Sequence, residues 1–229
     1  MNLKSIYHLF ASHPESTWIM IPENAQRLYR FVKTHDIKNV LDLGTGIGCS
    51  VSIAALALQE KGIKYHIDSI EQFDKCVKIA NELIPRELKE NITIHKANVT
   101  TWKTDKIPYQ VFSVYDSIPK GDYDLIINDG PGPFLENENY VDLNNGTILK
   151  LVLENKIKPG CFIIYDGRIL SLRVLERYLG GNFYLLNVGE KGDLNILEKI
   201  DIPLKFEDVL LKRMRDIGYF NESPQTRDK

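Results

Sequence analysis

Five short runs of branched and apolar residues, interleaved with segments of helical periodicity, constrain this chain more than any other feature of its 229 residues. The runs are NVLDL (39–43), YHIDSIE (65–71), NITIHKAN (91–98), YDLIIND (123–129) and CFIIYD (161–166). Helical patterns run through Val51, Ala54, Ala55 and Leu58, through DKCVKIANELI (74–84), through Ile148, Leu149, Val152 and Leu153, and through SLRVLERYLG (171–180). An earlier helix is read at PENAQRLYRFVKTH (22–35), with Pro22 in its first turn. FYLLNV and LNILEKI, joined by GEKGD, read as an antiparallel hairpin, and LKFEDVLLKRMRDIG (204–218) as a last helix. Strands that alternate with helices make a mostly parallel sheet with helices on both faces. The expected fold is therefore α/β: a doubly wound, Rossmann-like sheet of seven strands closed by the hairpin. One domain is expected, with a helical cap at 1–38, the sheet core at 39–200, and a terminal helix and tail at 201–229.

The bulk numbers narrow the partners. The chain is 43% hydrophobic, 26% charged and carries a net charge of −2, which excludes disorder and argues against bulk nucleic-acid or membrane-surface binding. MNLKSIYHLFASHPES has no apolar core of a signal peptide, and no stretch reaches 18 apolar residues, so a cytoplasmic protein is expected. Cys49, Cys76 and Cys161 lack metal-ligand spacing and read as reduced, small core residues. The five histidines show no metal-ligand pair.

Sheets of this type bind ligands beyond the carboxyl ends of their strands. The first such end is LDLGTGIGCS (41–50), with glycines at 44, 46 and 48 opening a helix. A helix N-terminus offers free N–H groups, and missing side chains let a ligand touch the backbone. The dinucleotide fingerprint G-x-G-x-x-G is not met, because Cys49 stands at its third glycine, and Asp42 within the strand is foreign to it. At the second strand end Glu71 can accept ribose hydroxyls. At the third, Asn98 and Val99 can read an adenine edge. The order apolar-apolar-acid-apolar-Gly-x-Gly-x-Gly, followed by these two strand ends, resembles the class I S-adenosylmethionine-dependent methyltransferases over roughly residues 18–200. The resemblance implies S-adenosylmethionine as cofactor, with contacts from Asp42, Gly44, Thr45, Gly46, Gly48, Glu71, Gln72, Asn98, Val99 and Asp129.

Strands four and five end in Asp129 and Asp166, within YDLIINDGPG and KPGCFIIYDGR. These stretches are similar to the catechol O-methyltransferase-like branch and the "methyltransferase 24" group. That branch implies a divalent cation on Asp129 and Asp166, but Gly167 stands where its Asn ligand would be and Gly132 where its catalytic lysine would be. A metal-free site is the expectation, with Asp129 or Asp166 as general base and Mg²⁺ as the alternative. Methyl transfer from a sulfonium expels a neutral leaving group, so positioning dominates the catalysis and the catalytic residues can vary. Arg168 is open between binding an anionic substrate group and a solvated charge. Trp18 and Met20 are open between lining the pocket and docking the first helix. The reading is a methyltransferase acting on the oxygen of a small hydroxylated acceptor, monomeric or homodimeric. The alternatives are a spermidine-synthase-like aminopropyltransferase, which lacks here its acid in the glycine loop, and a non-catalytic nucleoside-binding scaffold.

Overall fold

The computed structural model describes residues 1–107, 110–132, 143–188 and 194–201. The expected helix at 204–218, the hairpin turn at 189–193 and the side chain of Trp18 lie outside the described residues. The chain begins with α1 (Leu3–Ala11), which the sequence reading did not single out, and α2 (Pro22–Thr34), with Pro22 at its start as expected. Then follow β1 (Asn39–Leu43), α3 (Cys49–Glu60), β2 (His66–Glu71), α4 (Asp74–Leu83), α5 (Arg86–Lys89) and β3 (Ile92–Lys96). Next come β4 (Val99–Trp102), β5 (Phe112–Tyr115), β6 (Leu125–Asn128), β7 (Asn144–Asn145) and α6 (Thr147–Leu153). The chain continues with β8 (Phe162–Asp166), α7 (Ile169–Leu179), β9 (Phe183–Val188) and β10 (Leu194–Lys199).

Seven strands form one sheet in the order β3-β2-β1-β6-β8-β10-β9, all parallel except β10, which runs antiparallel to both neighbours. The chain winds outward from β1 to β3, then crosses back to place β6 on the other side of β1. The crevice between the carboxyl ends of β1 and β6 is thus the topological switch point. The Asp129 N–H donates to the Leu43 carbonyl across it at 2.9 Å.

Alternation along the strands sends side chains to two cores. Val40, Ile67, Leu125, Ile127 and Ile164 pack under α1, α2 and α3. Leu41, Leu43, Ile70, Ile126, Ile163 and Tyr165 pack on the opposite face with residues of α6 and α7. Helix α3 is buried from Cys49 to Leu58, because α1 and α2 cover the side that faces away from the sheet. A helix apolar all round needs such double cover. Truncating Leu56 to Ala there costs about 2–5 kcal/mol.

The stretch 91–98 departs from the single strand expected of it. Pairing with β2 ends at Lys96, one further bond joins Ala97 N–H to the Glu71 carbonyl, and Val99 opens β4 in a second, three-stranded sheet, β4-β5-β7. Asn98 therefore lies between the sheets rather than on a strand end. Single periodic runs do not encode this switch, since both pieces alternate with period two.

Candidate active site

Asp42 is fully buried beneath the glycine loop. Ser50 Oγ donates to one carboxylate oxygen at 3.0 Å and Ser69 Oγ to the other at 2.6 Å. With its proton so committed, Ser69 receives that of Thr45 at 2.6 Å. Burial pushes Asp42 up to about 7, against the pull of the two hydroxyls. Asp42 and Thr45 thus brace the loop from below, and their side chains do not face outward.

The three glycines have three different neighbourhoods. A Cβ on Gly44 would lie 2.7 Å from the Gly130 backbone nitrogen, so this glycine admits the loop after β6. One on Gly48 would lie 2.9 Å from the Ile84 side chain. One on Gly46 would meet nothing within 4 Å. All three have positive φ, but Gly46 alone among them borders open space. Its N–H donates to Glu71 Oε2 at 2.8 Å.

Glu71 is 4% exposed and also accepts the N–H groups of Gln72 (2.8 Å) and Phe73 (2.9 Å), both at Oε1. Burial raises its pKa while these three backbone donors pull it down. A carboxylate has about four lone-pair sites, so one acceptor position is left, on Oε2 beside Gly46. Gln72 turns the other way, its Oε1 accepting the Gly132 N–H at 2.8 Å and tying the end of β2 to the loop after β6. Asn98 is clamped by Asp116, whose oxygens accept its backbone N–H (3.1 Å) and its side-chain amide (3.2 Å). That leaves Asn98 Oδ1 to accept. The Val99 side chain is buried.

At the switch point, Arg168 Nε donates to Asp129 Oδ1 at 3.1 Å, and about a third of each side chain is exposed. Burial, Asp166 and Glu71 raise Asp129 to about 7 against the counter-pull of Arg168. Asp166 accepts Asn24 Nδ2 at 2.8 Å across 142 positions of sequence. Asn24 is 1% exposed, and its own Oδ1 is buried with no partner among the described residues. Asn145 holds the loop after β6 by donating to Asn128 Oδ1 (3.3 Å) and to the Gly130 carbonyl. Met20 is buried and its carbonyl accepts the Tyr7 hydroxyl at 3.2 Å, which makes it part of the helical packing.

Asp116, Asn24 and Asn145 were not anticipated. Asp116 carried the same signal that marks Glu71, an acid at a strand tip, on a strand of the second sheet that went unread. Asn24 and Asn145 carried none, because helix-start and strand asparagines are common. A catechol-type cation does not fit these residues. Gly167 cannot ligate, Asp129 is engaged by a guanidinium, and no group of three His, Cys, Asp or Glu among the described residues is arranged to hold a metal. Cys49 and Cys161 are buried, with thiols pushed up to about 12 by burial, which makes them inert.

Solved structures share this architecture. An O-methyltransferase from Bacillus cereus in complex with SAH is 17% identical, covers 87% of this chain and 90% of its own, and superposes with a TM-score of 0.55. The O-methyltransferase TomG from Streptomyces achromogenes, in complex with SAM, is 15% identical over 86% and 88% of the two chains, at 0.56. A Klebsiella pneumoniae protein assigned as an O-methyltransferase is 18% identical over 87% and 90%, at 0.58. The fold is the one these O-methyltransferases share. The model of the protein-L-isoaspartate(D-aspartate) O-methyltransferase family matches residues 15–126. That segment ends inside β6, before Asp129, so it spans the glycine loop, Glu71 and Asn98 but not Asp129, Asp166 or Arg168. No curated protein sequence matches the chain significantly. Among the described residues no helix is long and apolar enough to cross a membrane.

Proposed function

We propose that this chain is an S-adenosylmethionine-dependent methyltransferase that transfers the methyl group to an oxygen of a small hydroxylated acceptor. The observation that carries the reading is Gly46. It alone of the loop glycines borders open space, directly beside the remaining acceptor position of Glu71, which is where a nucleoside's ribose would hydrogen-bond. When bound, the cofactor supplies an electrophilic methyl on a sulfonium. The chain's own residues do the rest. Gly46 would admit the cofactor, Glu71 would take a ribose hydroxyl, and Asn98 Oδ1 would accept from the adenine amino group. The surrounding carboxylates favour the sulfonium's positive charge. Asp129 takes the acceptor's proton, because its raised pKa makes it a better base than an ordinary carboxylate at neutral pH. Arg168 holds that carboxylate in place and keeps part of it ionised. Asp166, on the adjacent strand β8, is oriented by Asn24.

The test is methyl transfer from S-adenosylmethionine to a panel of phenols and catechols, with and without EDTA. The base assignment expects equal rates in both arms. It expects the rate to rise with pH to a plateau, half-complete near 7, since Asp129 must be deprotonated to act. Asp129→Asn should lower kcat by about 10²–10⁴-fold. Loss of turnover with chelator and its return with Mg²⁺ would replace the base by a metal.

A further inference from the structure

The end of the sheet opposite the glycine loop carries a cavity of about 350 Å³, within the range of small-molecule pockets. We propose that it binds a small carboxylate with an aromatic or branched apolar body. It is independent of the methyltransferase reading. Tyr123 lies just before β6 and Lys158 just before β8, so the mouth is at the strands' amino ends.

The cavity is built in two zones. Its floor is Leu41, Ile126 and Leu151, each no more than 3% exposed; Leu41 and Ile126 are register partners on neighbouring strands. One wall is Tyr123, whose ring is fixed. Its hydroxyl donates to Asp68 at 2.9 Å and lies 3.2 Å from the Pro119 carbonyl. Asp68 is itself held by His66 Nε2 (3.2 Å) and His95 Nε2 (2.6 Å), which gives these two strand histidines a structural task. Gly121 leaves room for that ring, since a Cβ there would lie 2.5 Å from Tyr123 Cζ. With its hydroxyl committed elsewhere, Tyr123 presents ring surface to the cavity, and the floor offers carbon. A ligand body must therefore be apolar.

The rim carries three lysines, Lys120, Lys156 and Lys158, and one acid, Asp122. Lys158 is already paired with Asp124 at 2.7 Å and with Asp122 at 3.4 Å, and Lys156 with Glu154 at 2.6 Å. Lys120 has no acidic partner among the described residues. Lys120 is thus the lysine of the rim left for a ligand, and one such cation beside an apolar lining selects a single anionic head on an apolar body.

The experiment is calorimetric titration of the full chain with phenylacetate, with uncharged 2-phenylethanol, and with inorganic phosphate, each repeated with saturating S-adenosylhomocysteine. Saturable one-to-one binding of phenylacetate, unaffected by S-adenosylhomocysteine, is expected. The alcohol and phosphate should each bind at least roughly tenfold more weakly. Lys120→Glu, at an exposed position where folding is not at stake, should weaken phenylacetate by a similar factor, and Lys120→Arg should not. No saturable phenylacetate binding by the folded protein at millimolar concentration would overturn the proposal. So would binding that Lys120→Glu leaves unchanged, that phosphate matches, or that S-adenosylhomocysteine displaces.

Discussion

The two halves of the sheet's carboxyl edge hold their carboxylates in contrasting ways. At β1 and β2, Asp42 and Glu71 are almost inaccessible, and every donor they receive comes from the glycine loop, the start of α3, β2 or the turn after it: Ser50 and Ser69 for one, Gly46, Gln72 and Phe73 for the other. At β6 and β8, Asp129 and Asp166 are partly exposed, and each is held by a long-range side chain, Arg168 or Asn24. The first arrangement is rigid, because the backbone N–H groups on Glu71 cannot swing away and the two serines on Asp42 are buried. The second can exchange partners when a substrate arrives. The half proposed to bind the cofactor and the half proposed to react thus differ in who donates to their acids.

The comparison breaks most severely at Gly44. Gly44→Ala sets a Cβ against the Gly130 backbone at a position of positive φ, and should cost about 3–5 kcal/mol of stability in a denaturant melt. A variant as stable as wild type would show that the two halves are not locked together there. Glu71→Gln is next. It removes an ionised acceptor and turns an amide toward backbone donors, and should weaken S-adenosylhomocysteine by about 1–3 kcal/mol in titration. An effect below a few tenths would leave Glu71 as a brace for the loop alone.

A further effect is one of pH. Asp42 rises from an ordinary 3.8 to about 7, so between these values the folded chain keeps a proton that the unfolded chain has lost. Stability from this group is therefore full below pH 4 and declines as pH rises to about 7. Asp129 adds to the same slope. Asp42→Asn should flatten the stability–pH curve across that window, measured by urea melts at successive pH values. An unchanged slope would mean that Asp42 stays ionised in the folded state.

Much of this was legible in the sequence where local chemistry decides. The strands and their order of appearance followed from apolar runs, and the glycine loop from three glycines opening a helix. What the pattern could not separate was why each glycine is there. Gly44, Gly46 and Gly48 look alike in the chain, yet one admits backbone, one admits Ile84 and one borders open space. That distinction depends on residues 84 and 130, which local pattern does not bring near. Asp42 and Thr45 likewise read as ligand contacts, and the structure turns both side chains inward. The crossing from β3 to a second sheet, with Asp116 at its tip, was hidden because short strands of either sheet alternate alike.

The claim that the space beside Gly46 receives the cofactor is tested most directly by titrating S-adenosylhomocysteine into wild type and Gly46→Asn. Asparagine tolerates a positive φ, so the variant separates lost space from backbone strain. The account predicts one-to-one binding by wild type, and a loss of at least roughly a hundredfold in a variant of near-native melting temperature. Equal affinity in the folded variant, or no binding by the folded wild type, would contradict it.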